Sequence, residues 1–117
     1  MKKIFHLSSC DTCQRIIKEI APGEDVILQD IKKEPITADQ LEAMKNMAGS
    51  YERLFSKVAK KYKAMGLNEM TLKEADYKKY ILIEYTFLKR PVMIAANKIF
   101  IGNSPQAVEG AKQAMHG

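Results

Sequence analysis

The chain has 117 residues, 46% of them hydrophobic and 28% charged, and its 19 Lys+Arg against 14 Asp+Glu leave a formal net charge of +5. That length fits one domain with a real core and is too short for two independent ones. No apolar run approaches the ~20 residues of a membrane helix, the lysines are scattered through amphipathic segments as on a solvated surface, and no RNP-like, helix-turn-helix or zinc-finger pattern organises them for nucleic acid.

Residues 3–7 are short and rich in β-favouring types and end at Ser8-Ser9, which predicts a buried first strand. Ser8-Ser9-Cys10-Asp11-Thr12-Cys13 follows, holding the only two cysteines. After them Ile16, Ile17 and Ile20 mark one face of a helix that stops at Pro22-Gly23. The cysteines therefore sit at a strand-to-helix junction. The first N–H groups of a helix lack intrahelical partners and its dipole favours negative charge there, so a thiolate at Cys10 is stabilised. Cys13 lies about one turn further on, within reach of a mixed disulfide on Cys10. This spacing reads as a nucleophile and a resolving thiol.

Other readings of the pair are weaker. Two buried small hydrophobes are the common fate of isolated cysteines. A structural zinc site wants four N or S ligands, and only His6 and His116 could complete one, so no metal is expected. A secretory disulfide would call for a signal segment, whereas Met1-Lys2-Lys3 leads straight into the strand; the expected compartment is the cytoplasm. CxxC beside a β-α-β start in such a protein reads as thioredoxin-like redox chemistry.

Val26, Ile27 and Leu28 predict a second strand, and the polar residues 29–35 lead outward. Thr37 and Gln40 form a capping box, with Ile36 placed to staple against Leu41, for a helix that turns Leu41, Met44 and Met47 inward and ends at Gly49. In residues 50–66 the apolar positions Leu54, Phe55, Val58, Tyr62 and Met65 fall at helical spacing, with Gly66 as a C′ residue. Thr71 and Glu74 offer another capping box before a long helix over residues 72–88. Residues 37–88 thus read as a helical insert whose Met and Tyr side chains fill a core. Residues 91–96, the turn pair Asn97-Lys98 and Ile99-Phe100-Ile101 predict a hairpin. Ser104 and Pro105 cap a last helix that buries Val108, Ala111 and Met115. The order is β-α-β, helical insert, β-β-α. The expected fold is a single α/β domain with a four-strand mixed sheet.

Phe5-His6-Leu7-Ser8-Ser9-Cys10-Asp11-Thr12, Leu54-Phe55-Ser56-Lys57, and Leu88-Lys89-Arg90-Pro91-Val92 with Lys98-Ile99-Phe100-Ile101-Gly102 carry a closer likeness. Through them the whole chain resembles the glutaredoxin-linked arsenate reductase family and its Spx-like and YffB-like relatives. The resemblance implies a thioredoxin-like fold, Cys10 as nucleophile toward an oxyanion or thiol, and a cis peptide bond before Pro91. It also implies an arginine at Arg90 beside the cysteine. Arsenate reductases use two more arginines, which fall here on Val58, next to Lys57, and on Ile101. They draw an electron from external glutathione, whereas Cys13 supplies an internal thiol, as in Spx-like proteins. Those regulators carry an arginine right after the CxxC, where this chain has Gln14 and Arg15 comes one residue late.

The candidate catalytic residues are Cys10, Cys13 and Arg90, and the candidate substrate-binding residues are Ser9, Asp11, Thr12, Lys57 and Pro91. A guanidinium near Cys10 stabilises the thiolate and binds an oxyanion through paired N–H donors; Thr12 can cap the helix or bond the sulfur. His6, four residues before Cys10, is a candidate proton donor or a structural histidine. The expected activity is thiol-disulfide oxidoreduction on a small-molecule or protein disulfide, with no bound cofactor. Glutathione, or a thioredoxin or glutaredoxin system, is the candidate reductant. The alternatives are arsenate reduction and an Spx-like redox-sensing regulator that binds RNA polymerase.

Overall fold

The structure, a computed structural model, describes residues 2–117. It divides into two compact units, Met1–Pro35 with Arg90–Gly117, and Ile36–Lys89.

The first unit is a four-stranded sheet with two helices. Strands β1 (Lys2–His6), β2 (Val26–Asp30), β3 (Val92–Ala95) and β4 (Lys98–Ile101) lie in the order β2-β1-β3-β4. β1 runs parallel to β2 and antiparallel to β3, and β3 runs antiparallel to β4. The mixed sheet and its thioredoxin-like plan are as the sequence predicts. Helix α1 (Asp11–Ile20) follows β1, and α5 (Pro105–His116) follows β4. Alternation along a strand sends neighbouring side chains to opposite faces. Ile4, Met93 and Ala95 accordingly cluster with Ile16 and Ile20 of α1 and with Val108, Ala111 and Met115 of α5. Phe100 joins this core, and α5 approaches it so closely that a Cβ on Gly110 would stand 2.6 Å from the ring. Ser104 caps α5 through the Ala107 N–H at 3.2 Å, with Pro105 at the first turn. The Arg90–Pro91 bond is cis.

Two sequence expectations change here. β2 extends to Asp30, so Gln29 is a strand residue, buried, and not part of an outward loop. Its amide donates to the Glu34 carbonyl at 2.9 Å, which satisfies a polar group that burial would otherwise penalise. Ile27 and Leu28 are exposed, because β2 is an edge strand. The hairpin turn is Ala96-Asn97, both at positive φ, and Lys98 already belongs to β4.

The second unit is mainly helical. α2 (Ala38–Ala48) has the expected capping box, with Gln40 N–H to Thr37 Oγ1 and Thr37 N–H to Gln40 Oε1 both at 3.0 Å. Leu41 and Met44 are buried, but the inward position expected of Met47 is taken by Ala48, and Met47 is 37% exposed. Residues 50–66 are not one helix. A 3₁₀ turn at Glu52–Leu54 gives way to extended backbone at Phe55, which bridges Leu88, and only α3 (Lys60–Ala64) is helical beyond it. Val58 is 93% exposed and Met65 is exposed as well. The cause is long-range: the Glu74 carboxylate accepts from the Tyr51 N–H at 2.7 Å and the Glu52 N–H at 3.1 Å and pins that turn. Glu74 is thereby withdrawn from the expected box with Thr71. Instead α4 (Glu74–Ile83) starts where Asp76 accepts from the Lys73 N–H at 2.8 Å. α4 stops short of residue 88 because the Glu84 side chain turns to the Thr86 N–H and opens a 3₁₀ turn at Tyr85–Phe87.

Phe55 anchors this unit, with ring centroids 5.0 Å from Phe87, 5.0 Å from Tyr77 and 5.7 Å from Tyr62. Truncating a buried aromatic costs about 3–5 kcal/mol, a large share of a typical domain's stability. Phe55→Ala is therefore expected to lower the urea midpoint sharply, whereas Val58→Ala should leave it nearly unchanged.

Candidate functional site

The end of β1 and the start of α1 build the site. Leu7 and Cys10 are joined by the Cys10 N–H to Leu7 carbonyl bond at 3.0 Å, which turns the chain sharply after the strand. Cys10 is the N-cap of α1, in extended conformation, and makes no close side-chain cap bond. The first-turn N–H groups of Thr12 and Cys13 nonetheless lie near enough to favour its thiolate. Both cysteines are free thiols; Cys10 is half-buried and Cys13 is 0% exposed.

Their electrostatics diverge. Burial pushes the Cys10 thiol up, but hydrogen bonds from the Cys13 backbone and side chain, the Arg90 charge and a bond from the Thr12 backbone outweigh it, and the pKa falls below the ordinary value. For Cys13 burial dominates, opposed by a backbone bond from Leu7 and by Arg90 and assisted by the negative charge and hydrogen bond at Cys10. Its pKa is pushed up to about 11. The geometry thus brings Cys10, Cys13, Thr12 and Arg90 together, with one sulfur disposed to be thiolate and the other thiol.

His6 is buried on β1, paired across the ladder with Asp30. Burial lowers its pKa and the Asp30 charge opposes this; its Nδ1 has no hydrogen-bond partner. Ser8 beside Asp30 in turn holds that carboxyl below the usual range. Asp30 and Ser8, as the surroundings of His6, were not foreseen, since strand register across β1 and β2 brings them there. Ser9 and Asp11 are exposed on the turn and at the first residue of α1, and Pro91 is buried after Arg90. Lys57 belongs to the second unit, where it pairs with Glu52 at 2.8 Å. Among the described residues no group of three or more His, Cys, Asp or Glu side chains gathers as a metal site, and no helix is long and apolar enough to cross a membrane.

The ArsC family model matches residues 5–111, spanning the cysteine turn, the Arg90-Pro91 junction and most of α5. The chain belongs to the ArsC family. Solved structures agree on the fold. The YFFB protein is 18% identical, with 95% of this chain and 98% of that one covered and a TM-score of 0.78. An arsenate reductase from Vibrio cholerae is 13% identical, with coverage of 97% and 96% and a TM-score of 0.73. An arsenate reductase (ArsC) related protein from Brucella melitensis is 19% identical, with coverage of 93% and 92% and a TM-score of 0.65. No curated protein matches.

Within this ArsC-family chain Arg90 is one contributor to the lowered Cys10 pKa, ranking below the Cys13 hydrogen bonds. Arg90→Gln is therefore expected to raise the midpoint of Cys10 alkylation and slow the reaction at neutral pH several-fold, well short of the loss on removing the sulfur. A pH series of iodoacetamide labelling measures it.

Proposed function

We propose that this ArsC-family protein is a thiol-disulfide oxidoreductase in which Cys10 attacks and Cys13 resolves. The observation that carries the reading is the split between the two sulfurs, one lowered at the helix N-cap beside Arg90 and the other fully buried with a pKa of about 11.

The Cys10 thiolate attacks one sulfur of a disulfide substrate, forms a mixed disulfide and releases the other sulfur as a thiolate. With a pKa of about 11, Cys13 is thiolate in only roughly one molecule in ten thousand at neutral pH, so it does not compete for substrate. Two of the causes that hold it protonated, the Cys10 charge and the Cys10 hydrogen bond, vanish once Cys10 is in the mixed disulfide. Cys13 then attacks Cys10 Sγ, its proton passing to the departing substrate sulfur, which leaves as a thiol. The Cys10–Cys13 disulfide holds the oxidising equivalents, and an external thiol, glutathione or a thioredoxin or glutaredoxin system, returns the two electrons. Arg90 stabilises the thiolate at the start. Ser9, Asp11, Thr12 and Pro91 are assigned to the substrate contact around the cysteine turn, and His6 to proton transfer nearby.

The second reading is arsenate reduction, favoured by family membership and by the arsenate reductase among the structural neighbours. A redox-sensing regulator of the Spx kind finds less support, because Gln14 stands where those proteins carry arginine. Turnover of purified protein against arsenate, glutathione mixed disulfides and protein disulfides, with the reductant varied, tests the choice. The oxidoreductase reading expects the fastest turnover on a disulfide and fails if arsenate is reduced faster than every disulfide.

A further inference from the structure

Lysines dominate helix α3: Lys60, Lys61 and Lys63 crowd its five residues, and no acidic residue stands in its first turn. Lys61 and Lys63 fall in the last turn, where cations suit the dipole, whereas Lys60 stands at the start and opposes it, and like charges three apart repel. Lys61 is neutralised by Glu84 at 2.6 Å, and Lys57, just before the helix, by Glu52 at 2.8 Å. Lys60 and Lys63, at i and i+3 on one face, have no carboxylate within ion-pair distance among the described residues. Both line an open basin of about 500 Å³, with Lys57, Val58, Tyr62 and Asn68, and no carboxylate lines it. Val58 contributes an apolar side chain that is 93% exposed.

A local conflict kept without compensation inside the molecule is a mark of a functional surface. We propose that this basin is a docking site for an acidic peptide segment of a partner protein, with carboxylates on Lys60 and Lys63 and an apolar residue against Val58. The charge argues for an anionic occupant. The openness argues for a chain segment, because small ligands are held in sites that enclose most of their surface. Opposite charge steers such a segment onto the basin, and salt screens it.

The test is a ¹⁵N NMR titration of the full chain with a capped Glu-Glu-Leu-Glu-Glu peptide at low and at physiological salt. The controls are a capped Gln-Gln-Leu-Gln-Gln peptide and an oligouridine of equal charge. Shifts are expected within residues 57–68, weakening with salt. A Lys60→Gln, Lys63→Gln double variant, whose replaced side chains are exposed and whose fold circular dichroism verifies, is expected to lose affinity by on the order of tenfold. Lys98→Gln, on β4, should bind as the parent does. Shifts spread over lysines elsewhere, equal binding of the glutamine peptide, an undiminished double variant, or tighter binding of the oligouridine would each overturn the proposal.

Discussion

Cys10→Ser is expected to bring turnover of any disulfide substrate down to the rate without protein, while Cys13→Ser halts the cycle one step later. The two outcomes differ because the sulfurs differ. Cys10 has its pKa lowered by hydrogen bonds from Cys13, by Arg90 and by the Thr12 backbone, so it alone offers a nucleophile near neutral pH. A serine hydroxyl at that N-cap could still cap the helix, so fold and stability should survive the loss of activity. In Cys13→Ser the attack proceeds and the mixed disulfide persists, because the thiol placed to resolve it is gone. Intact-mass spectrometry after incubation with oxidised glutathione should show a single glutathione adduct on Cys13→Ser and none on Cys10→Ser. Cys13→Ser keeps a hydroxyl donor in place of the thiol, so the Cys10 pKa should stay lowered and its first attack at pH 7 should proceed. Rapid turnover by Cys13→Ser with glutathione as reductant would mean that an external thiol resolves the intermediate.

Arsenate is expected to be a poor substrate. The resemblance to arsenate reductases implies an oxyanion held by three arginines. By that resemblance Arg90 remains, while the other two positions fall on residues that carry no charge, Val58 and Ile101. A hydrogen bond to a charged group contributes about 1.5–3 kcal/mol. Loss of two such contacts removes roughly 3–6 kcal/mol, or about two to four powers of ten in affinity for the anion. Lys57 is the nearest cation in sequence to Val58, but it is paired with Glu52. Steady-state arsenate reduction with a glutaredoxin system should therefore show either no activity or a KM far above the micromolar range. Efficient turnover by the natural chain at micromolar arsenate would contradict the account.

The parts of the fold legible in the sequence are those written in short-range chemistry. The Thr37-Gln40 capping box, the Ser104-Pro105 helix start and the CxxC at a strand-to-helix junction each depend on residues within one turn of one another, and each is present. The second unit resisted because its local pattern was overruled from a distance. Leu54, Phe55, Val58, Tyr62 and Met65 do keep helical spacing. The Glu74 carboxylate nonetheless fixes the turn at Tyr51 and Glu52, and Phe55 leaves the helical path to pair with Leu88. Thr71 looked like a cap only because Glu74 stood three residues on, and that carboxylate was engaged elsewhere. Of the site, the cysteines could be picked out by residue type and spacing, and Arg90 through the family resemblance. The His6–Asp30 pairing could not, since it follows from the register of two strands about twenty residues apart in the chain.

The most direct test of the central claim, a nucleophilic Cys10 beside a protonated Cys13, is the pH dependence of iodoacetamide labelling followed separately at each cysteine by peptide mass spectrometry. Only the thiolate reacts, so each midpoint reports its own thiol. A lowered pKa moves the Cys10 midpoint below that of a free cysteine, so its labelling is well advanced where a free thiol is still mostly protonated. Cys13, with its pKa raised to about 11, should stay unlabelled through neutral pH and react only in strong alkali. Equal labelling of the two cysteines at pH 7, or a Cys10 midpoint at or above that of free cysteine, would contradict the account and leave the pair as buried structural thiols.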